Sequence, residues 1–189
     1  MNARTICSAH RPIDRGFTLI ELLVGVAIAS ILMGLGVPAF NNYVLNDRDA
    51  TQANSFVYSL NYARSDAVRR NTPFGVEVCP SSNLTSCTAS PWSGGWIVID
   101  LDPTDVTPVL QAVPAFGGTN TVTAAGTGAT GVVLNSSGAL QGSATLMITI
   151  CDTRGAAYAR DVEVTPIGTT QSSQKVGFQV NGTTSLVCP

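Results

Sequence analysis

Glu21, the aspartates around position 100, five cysteines and one histidine are the residues whose types and spacing bear on chemistry. Glu21 is the single charge between Phe17 and Phe40, and Leu22–Phe40 is an unbroken run of uncharged, mostly apolar residues. A carboxylate in such a run costs roughly 2.5–3.5 kcal/mol at a bilayer centre, so its retention implies a use. With His10 alone, a multi-histidine metal site is excluded, and a histidine-based triad would have to draw on the N-terminus. Asp100, Asp102 and Asp105 have the composition of an acid/base or calcium loop, but calcium takes six or more oxygens. Asp100–Asp105 reads more simply as a strand end and a polar turn. No Gly-x-Ser-x-Gly, phosphate-binding loop or dinucleotide fingerprint occurs, so no enzyme activity and no cofactor are expected.

The elements that must position these residues follow from where the apolar residues fall. The chain has 189 residues, 44% apolar and only 12% charged, which argues against disorder. A net charge of −2 excludes an overall basic nucleic-acid binder. Met1–Gly16 carries Arg4, Arg11 and Arg15 against Asp14. As a helix, the following run Leu22–Phe40 is roughly 28 Å long, about a bilayer core. The basic leader predicts a cytoplasmic N-terminus for such a span. An ordinary signal peptide fits less well, because the run is too long and no small-x-small site follows it. Gly25/Ala29 and Ser30/Gly34 allow close helix packing, and Pro38 is expected to kink the helix. Beyond it, positions 53, 56, 57, 60, 63 and 67 keep helical spacing. The spacing predicts one helix over about 17–71, its second half packed on a head. Asn71-Thr72-Pro73 ends it.

The remainder reads as β. Strands are predicted at 74–79, 96–101, 106–113, 132–135, 145–151, 158–165, 175–180 and 184–188, with 115–143 as turns and short edge strands. Trp92 and Trp96 read as core aromatics.

Gly16-Phe17-Thr18-Leu19-Ile20-Glu21 and the apolar run after it resemble the signal of type IV pilins and type II secretion pseudopilins. Cys79-Pro80 with Cys87, Trp92-Ser-Gly-Gly-Trp96-Ile-Val-Ile-Asp100 and Cys151-Asp-Thr-Arg-Gly155 narrow the resemblance to the GspH/FimT family. It implies an α+β type IV pilin fold, a long N-terminal helix packed on an antiparallel β head. It implies a leader at 1–16, a membrane and filament-core helix at 17–40, its amphipathic continuation at 41–72 and a β-rich head at 73–189. Prepilin peptidase would cut after Gly16 and Phe17 would be N-methylated. The new Phe17 amine would lie one helical turn from Glu21, which can neutralise it or a neighbouring subunit's amine during assembly. In related pilins, a proline at the place of Pro38 accompanies local melting of the helix in the filament.

The resemblance also carries expectations for role and partners. The role is a minor pilin that primes or caps a pilus. The alternatives are a type II secretion minor pseudopilin and a DNA-binding minor pilin for natural transformation. Partners are prepilin peptidase, other pilins or pseudopilins and inner-membrane lipid, with the head in the periplasm and then in an extracellular pilus or a periplasmic pseudopilus. Cys7 would leave with the leader as a cytosolic thiol. Four head cysteines allow three pairings, and an oxidising envelope favours disulfides. The expected pairs are Cys79–Cys87, a local loop, and Cys151–Cys188, which ties the C-terminus to the sheet. Zinc is the alternative, but the head has neither Cys-x-x-Cys nor a histidine, and no metal is expected.

DNA is not an expected partner. Some FimT-type members bind it through Gly-Arg-x-Arg in a C-terminal loop, where this chain has Gly168-Thr169-Thr170-Gln171. Three of the ten basic and one of the twelve acidic residues lie in the leader, leaving the mature chain at −4. Arg154, Arg160 and Lys175 are the remaining candidates for phosphate contact, and acidic neighbours suggest local ion pairing instead.

Overall fold

The computed structural model describes residues 16–71, 73–143 and 145–188; the leader positions Cys7 and His10 lie outside them. Helix α1 (Leu19–Arg70) starts where Thr18 can cap it: the Thr18 hydroxyl accepts the Glu21 backbone N–H at 3.3 Å. It ends at Asn71, which takes the left-handed conformation (φ 51°) that stops a helix. Arg69 and Arg70 occupy the last turn, where the helix dipole favours cations. The helical assignment runs through Pro38, so the missing backbone donor does not end the helix.

The chain divides into two compact units, 1–42 and 43–189. In the first, every residue from Gly16 to Asn42 whose exposure is described is exposed.

The second unit holds β1 (Val76–Pro80), β2 (Gly95–Asp100), β3 (Val109–Pro114), β4 (Thr121–Ala125), β5 (Val132–Leu134), β6 (Leu146–Cys151), β7 (Arg160–Val164) and β8 (Thr170–Ser172). They form two four-stranded sheets, ordered β3-β2-β1-β5 and β4-β6-β7-β8. Every pairing between these strands is antiparallel. The apolar stripe of α1 meets both sheets: Phe56, Leu60, Ala63 and Ala67 are buried with Val78, Val98, Leu146, Ile148 and Val162. Phe56 stacks on Trp96 at 3.9 Å between centroids and meets Trp92 edge-on at 5.9 Å. Both indoles are core residues, and each N–H finds an acceptor: Trp96 donates to Ser59 Oγ (2.9 Å) and Trp92 to the Ala129 carbonyl (2.8 Å).

Several expected strands shift or vanish. The strand expected from Val106 begins at Val109, because Asp105 Oδ1 holds Thr107 N–H in a turn and Pro108 brings no donor. Tyr158 closes a short 3-10 turn, and β7 starts at Arg160. Positions 175–180 and 184–188 form turns joined by one Phe178–Ser185 bridge; Gly177 and Gly182, with φ of 80° and 72°, bend the chain out of extended geometry. Thr170 and Gln171, expected in a loop, belong to edge strand β8. At Gly168 a Cβ would lie 1.8 Å from the Gly138 carbonyl oxygen, so only glycine lets these two loops meet. Arg64 of α1 donates to that same carbonyl at 3.1 Å.

Candidate assembly site and its anchors

Gly16, Phe17 and Thr18 precede the helix in non-helical backbone, and Phe17 is 83% exposed. The Gly16–Phe17 bond is thus exposed and lies outside the helix. Glu21 stands in the first turn of α1, exposed, and makes no ion pair among the described residues. Around it Leu19, Ile20, Leu22 and Leu23 are exposed. A Cβ added at Gly25, Gly34 or Gly36 would meet nothing within 4 Å. A carboxylate at the head of an apolar helix is costly in an apolar environment unless a cation pairs with it.

The head is anchored covalently at two points. Cys79 on β1 bonds Cys87 across eight residues, and Cys151 at the end of β6 bonds Cys188 across 37. Glu77 lies beside the first pair, and burial pushes its carboxyl above the usual value. Both neighbouring sulfurs are spent on each other, so this group offers no thiolate to zinc.

Two arginine clasps add to these bonds. Arg70 Nε donates to Asp66, and its Nη1 bridges Asp100 (2.5 Å) and Asp105 (3.1 Å). The guanidinium fills the place that a cation would take between those carboxylates. Thr104 hydrogen bonds hold Asp102 below its usual pKa, and the Thr107 backbone does the same for Asp105. Arg154 Nε donates to Asp152 at 2.6 Å, its Nη2 reaches Asp49 of α1 at 3.3 Å, and its guanidinium lies 4.3 Å over Tyr158. Asn120 Nδ2 completes this second cluster, donating to Asp49 (2.7 Å) and Gln52 (2.8 Å). Burial, and then Asp152, raise the Asp49 pKa to about 6. Burial acts to raise Asp152 as well, but the Arg154 hydrogen bonds outweigh it and the net shift is downward.

Two of the three DNA-contact candidates already have partners. Arg154 is consumed by its clasp, Lys175 Nζ sits 3.6 Å over the Phe178 ring, and Arg160 is half-buried in β7. Sequence reasoning missed Asp49, Gln52 and Asn120. The signal was available for the first two, since 49, 52, 53, 56 and 60 continue the buried helical stripe.

The fold and the uncovered N-terminal helix define a pilin-class protein. The GspH family, described as type II transport protein GspH, matches residues 52–168, and this chain belongs to it. A prokaryotic N-terminal methylation motif matches residues 11–37. The chain is 57% identical over 31 residues to the prepilin peptidase-dependent protein D of Escherichia coli K12, covering 16% of this chain and 21% of that protein. It is thus similar to about a fifth of that curated relative's length. A crystal structure of the type IV minor pilin FimU of Pseudomonas aeruginosa PAO1 matches with a TM-score of 0.54 at 18% identity, covering 68% of this chain and 90% of that one. A second crystal form matches at 0.50 and 19%, covering 65% and 90%. These likenesses establish the fold.

Proposed function

We propose that this chain is a minor type IV pilin that primes or caps pilus assembly. The observation that carries the reading is the junction Gly16–Phe17 followed by Glu21 and an exposed apolar half-helix. In this reading residues 1–16 are a leader removed by prepilin peptidase, and Phe17 is then N-methylated. Residues 17–40 span the inner membrane with a cytoplasmic N-terminus and later enter the filament core. Residues 41–72 carry the helix onto a periplasmic head at 73–189. Glu21 neutralises the Phe17 amine of its own or a neighbouring subunit, which sets register. Pro38 marks where the helix gives way as it leaves lipid for the filament.

The second reading, a minor pseudopilin of a type II secretion system, is favoured by the description of the matched family. Membrane insertion and processing are common to both. DNA receptor function has less support, because Arg154 and Lys175 already have partners.

Intact-mass analysis of protein from native membranes tests the processing. The expected product begins at N-methyl-Phe17, and retention of residues 1–16 would sink the proposal. Glu21→Ala should insert and be cleaved, yet be depleted from sheared filaments; normal abundance there would remove the pairing role. A deletion strain losing twitching separates the pilus reading from the secretion reading, in which exoprotein release is lost.

A further inference from the structure

Along β7 the side chains alternate between faces. Val162 and Val164 enter the main core, so Asp161 and Glu163 take the outer face of the sheet, opposite Thr149 and Met147 of β6. Glu163 is half-buried there, as an outer-face residue should be, whereas Asp161 is fully buried. Residues 174–188 cover it. Val180 N–H donates to Asp161 Oδ2 at 3.3 Å and Gly177 N–H to the Ala159 carbonyl at 2.8 Å. Leu186 packs on Ala159 and Cys151, and Cys188 closes the segment through its disulfide. Asp161 Oδ1 is buried without a hydrogen-bond partner among the described residues.

A carboxylate buried with too few hydrogen bonds to its oxygens is disfavoured relative to its neutral acid. Burial raises the Asp161 pKa to about 6, against the lowering effect of the Val180 N–H and with help from Glu163; the Thr149 hydroxyl and the Val162 N–H also act to lower it and are outweighed. Among the described residues no cation is ion-paired with it, although Arg160 precedes it on β7 and Lys175 lies in the covering segment. β6 presents Thr149, and the chain after β8 presents Ser173, whose Oγ accepts the Asp161 backbone N–H at 3.0 Å and whose own N–H donates to the Asp161 carbonyl at 2.7 Å. The covering segment has one charged side chain, Lys175, engaged with the Phe178 ring.

We infer that residues 174–188 are an acid-closed strap: it lies on the sheet while Asp161 is protonated, lifts when Asp161 ionises, and stays tethered by Cys151–Cys188. Lifting uncovers the apolar pair Ala159 and Leu186.

Hydrogen exchange of the full chain in detergent micelles, disulfides intact and corrected for intrinsic rates, tests this. Strap amides, Val180 and Leu186 among them, should lose about tenfold or more of their protection between about pH 5 and about pH 8. Amides of α1 around Phe56 should not change. Asp161→Asn should keep the strap protected at both pH values, and Asp49→Asn should leave the strap's pH dependence intact. Equal protection in the native chain at both pH values, the native pH dependence in Asp161→Asn, or its loss in Asp49→Asn would each overturn the inference. If Asp161→Asn does not fold, the native chain decides. An exchange midpoint that follows the carbon-13 titration of the Asp161 carboxyl supports the strap, and a midpoint elsewhere overturns it.

Discussion

The two halves of α1 follow opposite rules. From Leu19 to Asn42, leucines, isoleucines, Met33 and Phe40 stand exposed around the helix. From Tyr43 to Arg70 one stripe is buried, with Ala53, Phe56, Leu60, Ala63 and Ala67 in the core, while Tyr58 on another face is 63% exposed. A helix apolar all round calls for an apolar environment, whereas a stripe calls for a single surface. The charges divide in the same way. Glu21 makes no ion pair within the described chain, but Asp49 and Asp66 in the second half each meet an arginine. The second half finds its partners within the molecule, and the first half leaves its apolar residues and Glu21 exposed.

Substitutions of one kind in the two halves sharpen this contrast. The largest effect is expected at Phe56→Ala, which removes the ring between Trp92 and Trp96. Urea unfolding of the head should show a loss of about 3–5 kcal/mol. Next come the disulfides, which supply to the head a constraint absent from residues 17–42. On the chain-entropy account Cys188→Ser, opening 37 residues, costs about 4 kcal/mol, and Cys87→Ser, opening eight, about 2.5 kcal/mol. The reverse order would show that strain or residual structure outweighs loop entropy.

A smaller effect concerns pH. The folded pKa of Asp49, about 6, exceeds its ordinary 3.8, so the folded head binds more protons between those values. Stability should therefore rise as pH falls from about 7 towards about 4, by on the order of 1–3 kcal/mol from this group. Asp152 is shifted downward and acts oppositely only at lower pH. Asp161, also raised to about 6, adds a slope of the same sign, so Asp49→Asn should lessen that part of the profile without abolishing it; an unchanged profile would assign the pH dependence elsewhere. The smallest effect is expected at Ile31→Ala. Ile31 is 65% exposed, so head stability should change by less than about 0.5 kcal/mol. A larger change would mean that the first half supports the head.

Much of this was open to a reading of the residues alone. The length and evenness of the apolar run determine a helix that needs an apolar environment, because hydrophobicity all round has no other solution. The spacing 53, 56, 60, 63, 67 determines which side of the continuation is buried, because the helical period places those residues on one stripe. Tertiary structure alone decided what depends on meetings distant in sequence. Asp49, Asn120 and Arg154 come from α1, the chain before β4 and the chain after β6, and no local pattern foretells that one guanidinium will serve two of those elements. The apolar alternation near 175–180 suggested a strand, but Gly177 and Gly182 bend that segment into a cover over Asp161. Whether a short extended stretch pairs or folds over is settled by the surface available to it, and that surface exists only once the sheets have formed.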